Sequence, residues 1–215
     1  MNKVRLENFS DGVFAIAVTL LVLNIKIPDA NSLDNHQLTL RVIASLPQLL
    51  TFGFSFMVIG VFWVAHHRIL AMAKMVDSRL LWLNIVYLMF VAVMPYPAAL
   101  MAENPFLIIS ILIYCSTLVI IGMMHFFLLR HIYMAEKIKN ELFTEHVYES
   151  YLRAGVTGPA IYIFAGGFSF VSPYISFALI IGALVFYIFF SGIRLEHELA
   201  DTRTKEERKL GRRKK

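Results

Sequence analysis

The sequence predicts an all-α membrane protein with six transmembrane helices, and three observations carry that prediction. Of its 215 residues, 58% are hydrophobic and only 16% are charged, whereas a soluble chain is about 45–50% apolar and about a quarter charged. The excess falls in continuous apolar runs of 17 to 24 residues, and about 20 such residues cross a bilayer as a helix. The 20 Lys and Arg residues also sort almost entirely to one side of a six-helix arrangement. A water-soluble enzyme, a secreted disulfide scaffold and a disordered chain are all excluded. One cysteine, Cys115, cannot close an internal disulfide or build a cysteine zinc site.

The first run, 9–27, is interrupted only near its ends by Asp11, Asn24 and Lys26. Lys3 and Arg5 before it resemble the start of a secretory leader, but Glu7 and Asp11 spoil the pattern and no small-x-small cleavage site follows. It is therefore expected to stay as a permanent helix. The second run, 42–64, holds 23 residues without a charge; the third, 80–101, holds 22, and the fourth, 106–129, holds 24. The fifth, 154–170, is 17 long and rich in glycine, and the sixth, 175–192, is 18 long. Only Val171 to Tyr174 separates these last two, a tight hairpin with Pro173 placed where a helix can start.

Orientation follows from the basic residues, which concentrate on the cytoplasmic side. One side receives Lys3 and Arg5, then Arg68, Lys74 and Arg79, then Arg130, Lys137, Lys139 and Arg153, and finally the tail from Arg194 onward. Together these are 18 of the 20. Lys26 and Arg41 remain on the other side. Both termini are thus expected in the cytoplasm, and a five- or seven-helix count would break the asymmetry. Residues 1–193 read as one membrane domain and 194–215 as a basic cytoplasmic tail. That tail suggests nucleic acid by composition, but directly after a transmembrane helix its plainer role is topology and attraction to anionic lipid. In the connection 131–152, Glu136, Glu141, Glu145 and Glu149 alternate with lysines and apolar residues at helical spacing. The fourth helix is expected to run on into the cytoplasm and return along the membrane surface.

Ionisable and strongly polar side chains are costly in hydrocarbon unless paired, so they mark candidate sites. No run carries the mid-membrane carboxylate that a proton-coupled pump would use. The polar residues gather on helix one (Arg5, Ser10, Asp11) and at the end of helix two (Trp63, His66, His67, Arg68). Asp11 either pairs with Arg5 or a histidine in a buried knot between the two helices, or caps helix one while Arg5 anchors to lipid phosphate. His66 and His67 point about 100° apart on a helix and do not converge on one ion. With no third ligand nearby, no metal site and no cofactor are expected. His125 reads as a core histidine. Ile16, Leu20 and Leu23 fall at i, i+4, i+7 beside Thr19. Such a stripe either packs against a neighbour or lipid, or lines a shared axis, where an apolar constriction gates ions by dewetting.

The stretch Arg5-Leu-Glu-Asn-Phe9-Ser10-Asp11 at the start of helix one closely resembles the signature of the TMEM175 potassium-channel family. Phe62-Trp63-Val-Ala-His66-His67-Arg68 is also similar to the end of that family's second helix, and six helices match its single-repeat form. The resemblance implies a homotetramer in the plasma membrane, with helix one lining a central pore that passes potassium and other monovalent cations. It further implies a constriction of bulky aliphatic side chains at Ile16, Leu20 and Leu23, with Thr19 contributing to selectivity, in place of a Thr-Val-Gly-Tyr-Gly filter. Arg5, Phe9, Ser10, Asp11, Trp63, His66 and His67 would hold helix one in place, and the sequence leaves open which histidine does so. A secondary transporter or ion exchanger is the rival reading. Pro95 and Pro97 in helix three and Gly166-Gly167 in helix five could break helices as such proteins require, but no charged binding group sits beside them. A membrane enzyme would have only Asp11, His66 and His67 to work with, and no nucleophile or metal motif supports it.

Overall fold

A computed structural model describes residues 2–25 and 34–191. Lys26 and the basic tail 194–215 lie outside the described residues. The described chain is all-α, with one isolated antiparallel bridge between Ala73 and Lys139.

Six helical units make up the fold. The first is α1 (Lys3–Leu20), tightened at its end into a 3₁₀ turn, Leu21–Asn24. It begins six residues before the apolar run because Asn2 caps it, its side chain accepting the Val4 N–H at 3.0 Å. The second unit is α2 (Asn35–Ala44) and α3 (Leu46–Ala71), joined through Ser45. Asp34 caps α2 by accepting the Gln37 N–H, and Pro47 sits in the first turn of α3, where a missing N–H costs nothing. The third unit is α4 (Ser78–Val93) and α5 (Pro95–Glu103). Asp77 caps α4 through the Leu80 N–H, and Pro95 and Pro97 break the unit at Met94. The single runs expected at 42–64 and 80–101 are therefore each two helices in near continuation.

Helix α6 (Ile108–Met134) is the central element, with buried residues from Ser110 to Ile132 recurring at helical spacing. It packs along α4, α5 and α7. A Cβ on Gly122 would come within 2.5 Å of the Pro159 ring, so only glycine lets α6 and α7 approach there. After α6 the chain does not return along the surface in a helix of its own. Residues 135–144 turn under the bundle, with Ile138 and Phe143 buried, and α7 (Glu145–Phe168) then starts nine residues earlier than its apolar run. α8 (Pro173–Phe186) opens at Pro173, as the hairpin spacing predicts, and ends in a π-helical turn, Tyr187–Ser191.

Four of the units are long and apolar enough to cross a membrane by length and composition alone: Lys3–Asn24, Asn35–Ala71, Ser78–Glu103 and Ile108–Met134. α7 carries charge in its first turns, and the apolar stretch Pro173–Phe189 is shorter. These two pack as a hairpin beside α6. The chain is a multi-pass membrane protein.

Candidate ion-conduction site

The candidate site is built on α1. Leu6, Ser10, Phe14, Ala17 and Leu21 recur at three- and four-residue intervals and are buried. They face α3 and α4, which pack against α1. Phe9, Ile16, Leu20 and Leu23 form a different face, left largely exposed by the described residues. Ile16 is 61% exposed, Leu20 41% and Leu23 75%. Thr19 lies beside them, its hydroxyl turned back on its own helix to donate to the Ala15 and Ile16 carbonyls at 2.9 and 3.0 Å.

On the buried face, Ser10 Oγ donates to the Leu6 carbonyl at 2.8 Å and accepts from Asn84 Nδ2 at 3.0 Å. Asn84 Oδ1 in turn accepts from His66 Nε2 at 2.7 Å. All three side chains are buried, so each polar atom needs a partner and the chain of bonds supplies them. The His66 ring stacks on Tyr87 with centroids 5.0 Å apart and 7° between planes, and Phe14 lies 5.5 Å away. The Tyr87 hydroxyl donates to the Phe62 carbonyl. One residue after Ser10 on α1, Asp11 accepts a hydrogen bond from Trp63 Nε1 at 2.8 Å. At the far end, Asn24 Nδ2 donates to the Pro95 carbonyl at 3.0 Å.

The geometry brings some of the residues singled out in the sequence together and leaves others apart. Ser10, Asp11, Trp63 and His66 come together between α1, α3 and α4. Of the two histidines, His66 is the one bonded towards α1, reaching Ser10 through Asn84. Asp11 pairs with neither Arg5 nor a histidine, because Trp63 takes its carboxylate, and Asn2 rather than Asp11 caps the helix. Arg5 and Phe9 are exposed, and among the described residues no ion pair is formed by Arg5. His67 is exposed too, its ring 6.1 Å from that of Trp63. Asn84 is the participant that sequence reasoning missed. Its signal was available: a lone amide inside an apolar run is costly unless it is bonded. Among the described residues no three His, Cys, Asp or Glu side chains are grouped to hold a metal ion.

Chemically, the arrangement offers no nucleophile beside a base. It offers a rigidly braced helix that presents a row of aliphatic side chains.

Comparison with known proteins points the same way. Residues 5–95 match the profile of the family described as endosomal/lysosomal potassium channel TMEM175. A potassium channel of Chamaesiphon minutus is 34% identical over 175 residues, 80% of this chain and 86% of that protein. A potassium channel of Streptomyces collinus is 46% identical over 99 residues, 46% of this chain and 47% of that protein. The crystal structure of a lysosomal potassium-selective channel TMEM175 homologue from Chamaesiphon minutus superimposes with a TM-score of 0.78 at 31% identity, covering 88% of this chain and 97% of that one. With the sequence matched over four fifths of its length and the fold shared over more, this chain belongs to the TMEM175 family, in its six-helix form.

Proposed function

We propose that four copies of this chain assemble around an axis lined by α1 and conduct potassium passively. The constriction is formed by Ile16, Leu20 and Leu23, and potassium is modestly preferred over sodium. The observation that carries this reading is the division of α1 into a buried face fixed by hydrogen bonds and an uncovered row of three bulky aliphatic side chains. A row held that rigidly and left bare by its own subunit is suited to meet its counterparts at a shared axis. An aliphatic ring excludes ions when narrow, because an ion cannot shed hydration water there without replacement ligands. A slightly wider ring admits a partly hydrated ion, and potassium gives up its shell more readily than sodium. Thr19, exposed beside this row, contributes ligands next to the ring. The relatives named as potassium channels support the choice of ion. In this reading residues 1–193 are the channel domain in the cell membrane, both termini are cytoplasmic, and 194–215 form a basic tail that fixes topology.

Purified protein in potassium-loaded liposomes tests the reading. Passive potassium efflux without a coupled gradient is expected, and Ile16→Asn should bring the reversal potentials for potassium and sodium together. Flux that requires a counter-ion gradient would favour an exchanger. An unchanged preference in Ile16→Asn would remove Ile16 from the constriction. A monomeric mass in native lipid would overturn the shared axis.

A further inference from the structure

Phe9 belongs to the motif at the head of α1, yet its side chain is 55% exposed while Leu6 and Ser10 on either side of it are fully buried. The rotation of α1 at this level is fixed from two directions. Asn84 on α4 donates to Ser10, and Trp63 on α3 donates to Asp11. At 3.6 residues per turn, Phe9, Gly12 and Ile16 each point within about 30° of directly away from the midpoint of that bonded pair. All three lie within the regular α-helix Lys3–Leu20. Phe9 precedes Ile16 by two turns, about 10 Å along the helix, so it continues the aliphatic row toward the N-terminus.

Gly12 stands between these two large side chains. It is exposed, and a Cβ added there would meet nothing within 4 Å. Glycine weakens a helix interior relative to alanine, and packing among the described residues does not call for it here. Its effect falls on the open side of α1, where the row has no side chain one turn before Ile16.

We propose that in the assembled channel Phe9 lines the conduction path as an aromatic collar on the N-terminal side of the Ile16 constriction, with Gly12 leaving a wider, hydrated chamber between the two. The inference rests on the conduction reading above and adds the ion's approach to it. An apolar stretch gates by dewetting, and Gly12 interrupts the stretch. An ion that has passed Phe9 therefore keeps its water until it reaches Ile16. A phenyl face also attracts a cation, which an aliphatic side chain does not. Arg5 lies one turn further out on the same face, in the first turn of the helix, where its long stem can carry the charge away from the axis.

Cysteine accessibility tests the collar. Cys115 is the chain's one cysteine and is buried, so wild-type currents in planar bilayers should not respond to a cationic methanethiosulfonate. The reagent passes its thioalkyl group to a cysteine sulfur and releases a sulfinate. In Phe9→Cys and Gly12→Cys it should cut the current several-fold, and a reducing agent should restore it. Val4→Cys, at a site 55% exposed but about 120° from Ile16 around the helix, should be unaffected. Gly12→Leu, which joins the two apolar levels into one stretch, should lower the unitary conductance several-fold and keep the preference for potassium. Insensitivity of both Phe9→Cys and Gly12→Cys overturns the proposal, as does a Val4→Cys current that falls as far as theirs. Wild-type conductance in Gly12→Leu overturns the chamber. Ile16→Asn keeps the two readings apart. If its reversal potentials shift while both cysteine variants ignore the reagent, the collar is wrong and conduction past Ile16 stands. If Phe9→Cys carries no current, Gly12→Cys decides the question.

Discussion

A hydroxyl placed in hydrocarbon has to use both its functions, and Ser10 does so by donating to Leu6 and accepting from Asn84. Asn84 is the more critical of the pair because it also accepts from His66. Replacing it with the similarly sized Asn84→Leu leaves buried His66 Nε2 without its partner and takes from Ser10 one of its two. Leaving one buried partner unmet costs about 1–3 kcal/mol, while hydrogen bonds between membrane helices average nearer 0.6. A loss of about 2 kcal/mol is therefore expected in a detergent unfolding titration. Ser10→Ala should cost less, about 1 kcal/mol, and the two changes together should cost less than their sum because they break one shared bond. Of this constellation, Ser10, Asp11, Trp63 and His66 were legible in the sequence, carried by a short motif at the head of α1 and the end of α3. Asn84 was not, because one amide among 22 residues barely alters the apolar run that reveals a span.

Helix limits followed different physics from the runs that disclosed the helices. An apolar run marks depth in the membrane, whereas a helix ends where its last N–H or carbonyl groups find other partners. The Asn2, Asp34 and Asp77 caps lie outside their runs, so α1, α2 and α4 all begin before hydropathy rises. The glycine at 122 belongs to the same scale, since it sets how close α6 and α7 can come. Gly122→Ala places a Cβ against the Pro159 ring, and overpacking of this kind costs about 1–3 kcal/mol. A lowered thermal midpoint is expected, with much of the loss recovered in Gly122→Ala/Pro159→Ala, where the opposing ring is gone. A double variant no more stable than Gly122→Ala would show that the contact does not set the approach.

Across the whole molecule, the basic end is closed by bonds between distant segments. Lys74 N–H donates to the Ile138 carbonyl at 2.8 Å, and Asn140 N–H to that of Met72 at 2.9 Å. His131 Nε2 meets both carboxylate oxygens of Asp77 at 3.0 Å. Burial pushes the pKa of Asp77 up, but the Leu80 N–H and the His131 ring outweigh it and hold the carboxyl below its usual 3.8. A group depressed in this way adds stability above its unfolded value and loses it as pH falls through the folded one. Unfolding should therefore become easier below about pH 4, by a small amount because Asp77 is largely exposed. Asp77→Asn, which still caps a helix, should flatten that part of the pH profile of the thermal midpoint. Lys74, Arg79, Arg130, Lys137 and Lys139 mark this end in the sequence, but the bonds that close it join residues some 60 positions apart, and no local pattern records them. The braces on α1 have a mechanical consequence. Asn84 on α4 and Pro95 on α5 belong to one helical unit, Ser78–Glu103, and they hold the first unit at two points, Ser10 midway along α1 and Asn24 in the 3₁₀ turn that ends it. Two bodies joined at two separated points have lost nearly all their relative freedom. In the proposed pore α1 therefore does not swing alone; the radius at Ile16, Leu20 and Leu23 would there depend on α1, α4 and α5 together, and widening it would mean shifting three helices.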